Sequence, residues 1–204
     1  MTVTDIVELS KTRSKIIIDN EAAFVLYKGE IRSMDIKKGR ELSDECYFHI
    51  MNELLVKRAK LRCLNLLKSR DYTRHQLERK LKQGFYPQTV MEAAIAYVAS
   101  YGYLDDVKYA MSYIKYAGAT KSNKQIVNDL QVKGVSKQDI ETAFAQCEEK
   151  NILANEEELI QKLLEKKRYQ KTEASFAERQ KIALFLYRKG FSSDKINKAV
   201  GLYE

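Results

Sequence analysis

Leu186-Tyr187-Arg188-Lys189-Gly190-Phe191 decides the fold, because Leu130-Gln131-Val132-Lys133-Gly134-Val135 has the same form. Both run Leu-x-x-x-Gly-apolar, and Leu81-Lys82-Gln83-Gly84-Phe85 is a version one residue shorter. An apolar residue follows each glycine directly (Phe85, Val135, Phe191), and another stands six residues on (Val90, Ile140, Ile196). Nine residues on there is an alanine: Ala93, Ala143 and Ala199. Glycine just past a helix takes positive φ at no steric cost, and the apolar residue after it folds back onto the last turn. The glycines lie 50 and 56 residues apart, and matched offsets at a near-constant period mark a tandem repeat. Start signals agree. Thr73-x-x-Gln76, Ser122-x-x-Gln125 and Ser175-x-x-Glu178 fit capping boxes, and Ser136 and Ser192 stand ready to cap the helix after the glycine.

Working outward, three helical repeats are expected at 56–104, 105–154 and 155–204, each of three short helices. A unit this small buries little alone, so the three should stack into an elongated, curved array. Residues 43–55 read as a connecting helix, with Ser43-Asp44-Glu45 as cap and acidic first turn and Phe48, Met51, Leu54 and Leu55 as an apolar stripe. Residues 1–42 read as a small antiparallel β module. Val3 to Leu9 alternates apolar and polar, Lys15 to Ile18 and Phe24 to Tyr27 follow, and Asp19-Asn20-Glu21 forms the turn between them. Ile31 to Ile36 is a possible fourth strand. Such a sheet is marginal alone and should pack on the helices. The fold class is therefore mainly α with an N-terminal β module.

The chain of 204 residues carries a net charge of +8, unevenly spread. Residues 1–55 sum to −2, 56–104 to +7 (10 Lys/Arg against 3 Asp/Glu), 105–154 to zero and 155–204 to +3. A basic surface after residue 55 points to a polyanionic partner, nucleic acid first. In the first repeat Lys57, Arg58, Lys60, Arg62 and Lys68 are followed by Arg70, Arg74, Arg79, Lys80 and Lys82. Spacings such as Arg58/Arg62 place charges on one helix face, where they can track phosphates; equally, they can be solvated side chains covering helix stems. Lys166, Lys167, Arg168, Arg179, Lys181, Arg188 and Lys189 pose the same choice in the third repeat. Tyr109, Tyr113 and Tyr116 share a helix stripe that suits either base stacking or core packing.

Catalytic signatures are missing. His49 and His75 are far apart and lack ligands at zinc spacing, and the isolated glycines build neither a phosphate loop nor a dinucleotide fingerprint. Asp105-Asp106 fits helix capping as well as a metal or acid/base pair. The expectation is a non-enzyme without cofactor or metal. Cys46, Cys63 and Cys147, odd in number and never Cys-x-x-Cys, read as reduced thiols. The longest apolar run, Ala93 to Ala99, is far short of a membrane span, and Met1 to Asp5 lacks a signal-peptide pattern. A cytoplasmic monomer is expected.

These residues together resemble the RecX family, bacterial regulators of the RecA recombinase. The resemblance covers nearly the whole chain and is strongest at Gly102-Tyr103-Leu104-Asp105-Asp106 with Tyr109-Ala110. Arg70 to Leu77, Lys80-Leu81 and Gly84-Phe85 are similar to the family's first repeat. Ile126, Leu130 and Lys133 to Val135 resemble its second, and Lys181, Phe185-Leu186 and Arg188 to Phe191 its third. Lys38-Gly39-Arg40-Glu41-Leu42-Ser43 looks like the leader of many Gram-positive members. Ser122 stands where the family usually has glycine, while Lys124 keeps the basic position that follows. The resemblance implies a curved molecule of three three-helix repeats that binds RecA filaments on single-stranded DNA. It also implies inhibition of strand exchange, ATP hydrolysis and co-protease activity, restraining recombinational repair and the SOS response. The competing readings are a stand-alone DNA-binding protein of helix-turn-helix type and a pure protein-interaction scaffold.

Overall fold

The alternation near the N-terminus folds as three strands in the computed structural model, which describes residues 1–202. Strands β1 (Val3–Glu8), β2 (Arg13–Ile18) and β3 (Glu21–Tyr27) form an antiparallel sheet in the order β1-β2-β3. Asp19 and Asn20 take φ of 48° and 68°, the positive pair that a two-residue hairpin needs to match strand twist. One sheet face carries Val3, Ile16, Ile18, Phe24 and Leu26, all buried.

The possible fourth strand is instead a helix, α1 (Lys28–Ser33). Ile31-Arg32-Ser33-Met34 does not alternate, and its apolar residues three apart reach the core together only on a helix. The Tyr27 backbone N–H donates to Glu30 Oε2 at 2.8 Å and closes the first turn.

Helix α2 (Asp44–Phe48) starts as expected, with the Cys46 N–H donating to the Ser43 hydroxyl. It runs on through a π-helical stretch, His49–Leu55, into α3 (Val56–Ser69). The wider turn realigns the apolar face. Ile50 and Leu55, five apart, both point into the core, and Leu55 continues in α-helical steps of four to Ala59 and Cys63. This corrects the stripe read from sequence, because Phe48 lies upstream of the realignment and is 60% exposed. Helices α4 (Arg74–Gln83) and α5 (Gln88–Ser100) complete the N-terminal unit, Met1–Asp105. One hydrophobic core runs from strand residues such as Ile16 and Phe24 to Leu77, Leu81 and Ile95 of the helices.

The C-terminal unit, Asp106–Glu204, begins with α6 (Asp106–Ala117), α7 (Asn123–Val132) and α8 (Lys137–Glu149). Helices α9 (Glu156–Lys166), α10 (Phe176–Arg188) and α11 (Ser193–Val200) follow. Its two triplets keep separate cores, one around Ile114, Ile126 and Leu130, the other around Ile160, Leu164 and Leu186. The Ser122 hydroxyl links them, accepting from Gln125 N–H while donating to Lys189 O at 2.6 Å. Asn123 N–H donates to Glu156 Oε1 at 2.7 Å.

Most expected caps form. Thr73 and Ser175 make full capping boxes, and Ser136 accepts from Asp139 N–H. Ser192 occupies the cap position without a side-chain bond.

The repeat signature needs one correction. Val135 N–H donates to Leu130 O and Phe191 N–H to Leu186 O, with Gly134 and Gly190 at φ 82° and 85°. In the first copy Tyr86 N–H donates to Leu81 O, and the left-handed residue is Phe85, at φ 61°. The three turns therefore have equal length, and the first glycine has moved one place upstream. Gly84 has negative φ, and space retains it: a Cβ there would meet the Tyr86 ring at 2.9 Å. Counted from the leucine, Met91, Ile140 and Ile196 correspond, as do Ala94, Ala143 and Ala199. Ala94 is buried while Ala93 is exposed, which overturns the offset read from the glycine.

Candidate nucleic-acid interface

The third repeat gathers its cations around one aromatic ring. Lys166 ends α9, Lys167 caps it, and Arg168 follows at φ 53°, a left-handed kink that turns the chain toward α10. Along α10, Lys181 and Arg188 are seven residues apart and so share a face, with Phe185 between them. Lys167, Arg168, Lys181, Phe185 and Arg188 line an open cleft of about 630 Å³. Lys167 Nζ stands 5.0 Å and Lys189 Nζ 5.4 Å from the Phe185 ring centroid, on the scale of cation–π contacts. Leu184, Tyr187 and Phe176 add exposed apolar surface on the same helix. The cleft also holds Glu173 and Glu178. The Ser175 N–H and hydroxyl hold the Glu178 carboxyl below its ordinary value, so it keeps its charge. Arg179 faces elsewhere, donating to the carbonyls of Ala174, Lys171 and Gly201, and serves the fold.

In the first repeat the cations divide. Arg58 is a tie between layers: it pairs with Glu30, donates to Val25 O, and stacks 4.7 Å from the Tyr27 ring centroid. At 22% exposure its side chain is committed to holding α3 against β3 and α1. Lys60 sits 4.4 Å from the Tyr97 centroid and Arg70 4.5 Å from that of Tyr72. Lys57, Arg62, Arg74, Arg79 and Lys82 are exposed, and Lys80 is half-buried. The Arg58/Arg62 spacing does bring both guanidiniums to one cavity, which Lys80 also lines. Arg13 of β2 belongs there too. Its charge does not stand out in the sequence, because it lies in the segment of negative net charge; the fold sets it opposite Tyr27 and at the cavity that Arg58 and Arg62 line.

In the second repeat Lys124 is exposed in the first turn of α7. The N–H groups of that helix start are occupied within the chain by Ser122 and Glu156. Of the tyrosine stripe, Tyr109 and Tyr113 pack against the core and Tyr116 is 77% exposed. Tyr113 donates to Asp129 at 2.8 Å, and Lys121 bonds both. Burial pushes the Cys63 thiol up to about 11, so it stays protonated at neutral pH.

Among the described residues no helix is long and apolar enough to cross a membrane.

Sequence models described as the first and the third three-helix domain of RecX match residues 59–97 and 155–200. A regulatory protein RecX of Caldanaerobacter subterraneus subsp. tengcongensis is 29% identical, over 99% of this chain and 100% of that protein. The one of Leuconostoc mesenteroides subsp. mesenteroides is 30% identical, over 89% of this chain and 68% of that protein. A crystal structure of regulatory protein RecX aligns with a TM-score of 0.61 at 24% identity, covering 98% of each chain. That of RecX from Lactobacillus salivarius gives 0.60 at 24% identity, over 72% of this chain and 95% of that one. On these similarities of sequence and fold, the chain belongs to the RecX family of regulatory proteins.

Proposed function

We propose that this protein binds RecA filaments on single-stranded DNA in the cytoplasm and mostly inhibits their recombinase, ATPase and co-protease activities. Membership of a family of regulatory proteins supports the regulatory role. The observation that carries the contact with a polyanion is the third-repeat cleft, where Lys167, Arg168, Lys181 and Arg188 surround Phe185. Cations beside an aromatic face combine phosphate attraction with stacking, which is how single strands are held without reading sequence. Arg79, Lys82 and Lys124 extend the basic surface of the other repeats. This action would restrain recombinational repair and the SOS response.

The test is the DNA-dependent ATPase rate of RecA with purified protein added, at low and moderate salt. Inhibition should weaken steeply with salt as counterions return to the phosphates. It should fall at least about tenfold in potency on converting both Lys181 and Arg188 to Glu, since each removes a charge-assisted contact. Arg58 is unsuitable for such a reversal because it would break the pair with Glu30. Unaided duplex binding with no change in ATPase would favour the stand-alone DNA-binding reading. Inhibition unaffected by every reversal would favour a protein-interaction scaffold.

A further inference from the structure

The cavity shared by the sheet and the first repeat has a composition that the third-repeat cleft lacks. It encloses about 390 Å³, and its lining includes Arg13 of β2, Arg58 and Arg62 of α3 and Lys80 of α4, with no carboxylate. Glu30 neutralises Arg58. Arg13, Arg62 and Lys80 have no carboxylate partner among the described residues. Three uncompensated cations facing one concavity repel each other, and the fold pulls them together from three separate elements. Water and salt screen part of that repulsion, since Arg13 and Arg62 are exposed, and an anion seated between the three relieves it directly.

The walls are as specific as the charge. Phe85, held at the left-handed φ of 61°, and Tyr86 form the α4–α5 junction. Lys15 sits 4.8 Å from the Phe85 centroid and so ties that junction to β2. Tyr27, against which Arg58 stacks, lines the cavity as well. Burial pushes the Tyr86 phenol up, and the charges of Arg58 and Arg62, which line the same cavity, pull against that rise.

We infer that this cavity is a binding site for a phosphoryl group, formed jointly by the sheet and the first repeat. Arg13 and Arg62 supply guanidinium forks that match two oxygens of a tetrahedral oxyanion, and Lys80 supplies a point charge. The phosphoryl can come from a polynucleotide backbone or from a free phosphate or mononucleotide; both present the same oxygens. In the first case the site deepens the reading above, and it requires neither RecA nor the third-repeat cleft.

The experiment is a ³¹P NMR titration of inorganic phosphate with the full chain at fixed ionic strength. Phosphate should broaden and shift on binding, with affinity about tenfold weaker in Arg62→Gln and in Lys80→Gln, each of which removes one charged contact. Arg13→Gln, on an exposed strand end where folding is not at stake, should weaken it comparably, and Lys137→Gln, an exposed cation of α8 paired with Glu141, should leave it unchanged. Displacement by a short oligothymidylate identifies a backbone phosphate; displacement by dAMP alone identifies a free nucleotide. Either supports the site. No protein-dependent change in the phosphate line, or equal affinity in wild type, Arg62→Gln, Lys80→Gln and Arg13→Gln, overturns it. Loss of phosphate binding with unaltered inhibition of the ATPase would leave the filament reading standing, so the two failures are distinguishable.

Discussion

In the N-terminal unit the sheet and the first repeat share one core, and Ile16, Phe24 and Leu26 lie in the same cluster as Leu77, Leu81 and Ile95. In the C-terminal unit the second and third repeats keep separate cores, and hydrogen bonds from Ser122 and Asn123 join them. The difference concerns cooperativity. Elements that share apolar surface unfold together, whereas elements joined by a few hydrogen bonds, each worth about 1 kcal/mol net, can open one at a time.

The largest test of this comparison is a pair of core truncations. Leu81→Ala and Leu186→Ala remove side chains that are each fully buried, at a cost of roughly 2–5 kcal/mol. Native-state hydrogen exchange should show the amides of β2 and α5 losing protection together in Leu81→Ala. In Leu186→Ala the loss should be confined to α9, α10 and α11, with Ile126 still protected. Equal loss at Ile126 would mean that the two C-terminal cores act as one.

A smaller effect comes from the helix-ending turns. Gly190→Ala places a Cβ at φ 85° and 2.9 Å from Ser122 Oγ, the very link between the repeats. Urea unfolding should show a loss of about 1–2 kcal/mol, the usual cost of a left-handed side chain. Phe85→Gly relieves the same strain in the first repeat while losing the Lys15 contact, and should stay within about 0.5 kcal/mol of wild type. A large loss at Phe85 would show that the ring does more for the shared core than its 47% exposure suggests.

The smallest effect is electrostatic. Hydrogen bonds from Lys121, then from Tyr113, hold the Asp129 carboxyl below its ordinary 3.8. Its contribution is thus fully present above the unfolded value and is lost as pH falls through the lower folded one. The pair is about two-fifths exposed, so Asp129→Asn should cost less than about 1 kcal/mol at pH 7. Urea titrations of both proteins should converge as pH drops below 3.8.

Helix starts were legible in the sequence because capping is local: Thr73, Ser122, Ser136 and Ser175 bond residues three places on. The alignment of the first repeat was not, because a glycine announces permission for positive φ without showing where φ is positive. Phe85 takes the left-handed position, and Gly84 is kept for its close approach to Tyr86. The π turn was hidden for a similar reason, since Ile50 and Leu55 fit no α-helical stripe until the wider turn is known. For the candidate site, charge density located the cations and said nothing of their commitments. Arg58 and Arg62 are indistinguishable in the sequence, yet one is paired with Glu30 and the other is not. Arg13 escaped notice because only β2–β3 pairing, which sets it opposite Tyr27, reveals its neighbours.

The shared N-terminal core also bears on how the chain is made. Synthesis delivers the three strands before the helices, but a three-stranded sheet with one greasy face is marginal until something covers it. Its cover includes Tyr47 of α2, whose ring centroid stands 6.0 Å from that of Phe24 and which is synthesised some 20 residues after Tyr27. At about 5–20 residues per second the nascent sheet waits roughly 1–4 s before that ring reaches Phe24. During that interval the N-terminal segment is a ready client for a chaperone, and the arrival of α2 begins to end its exposure.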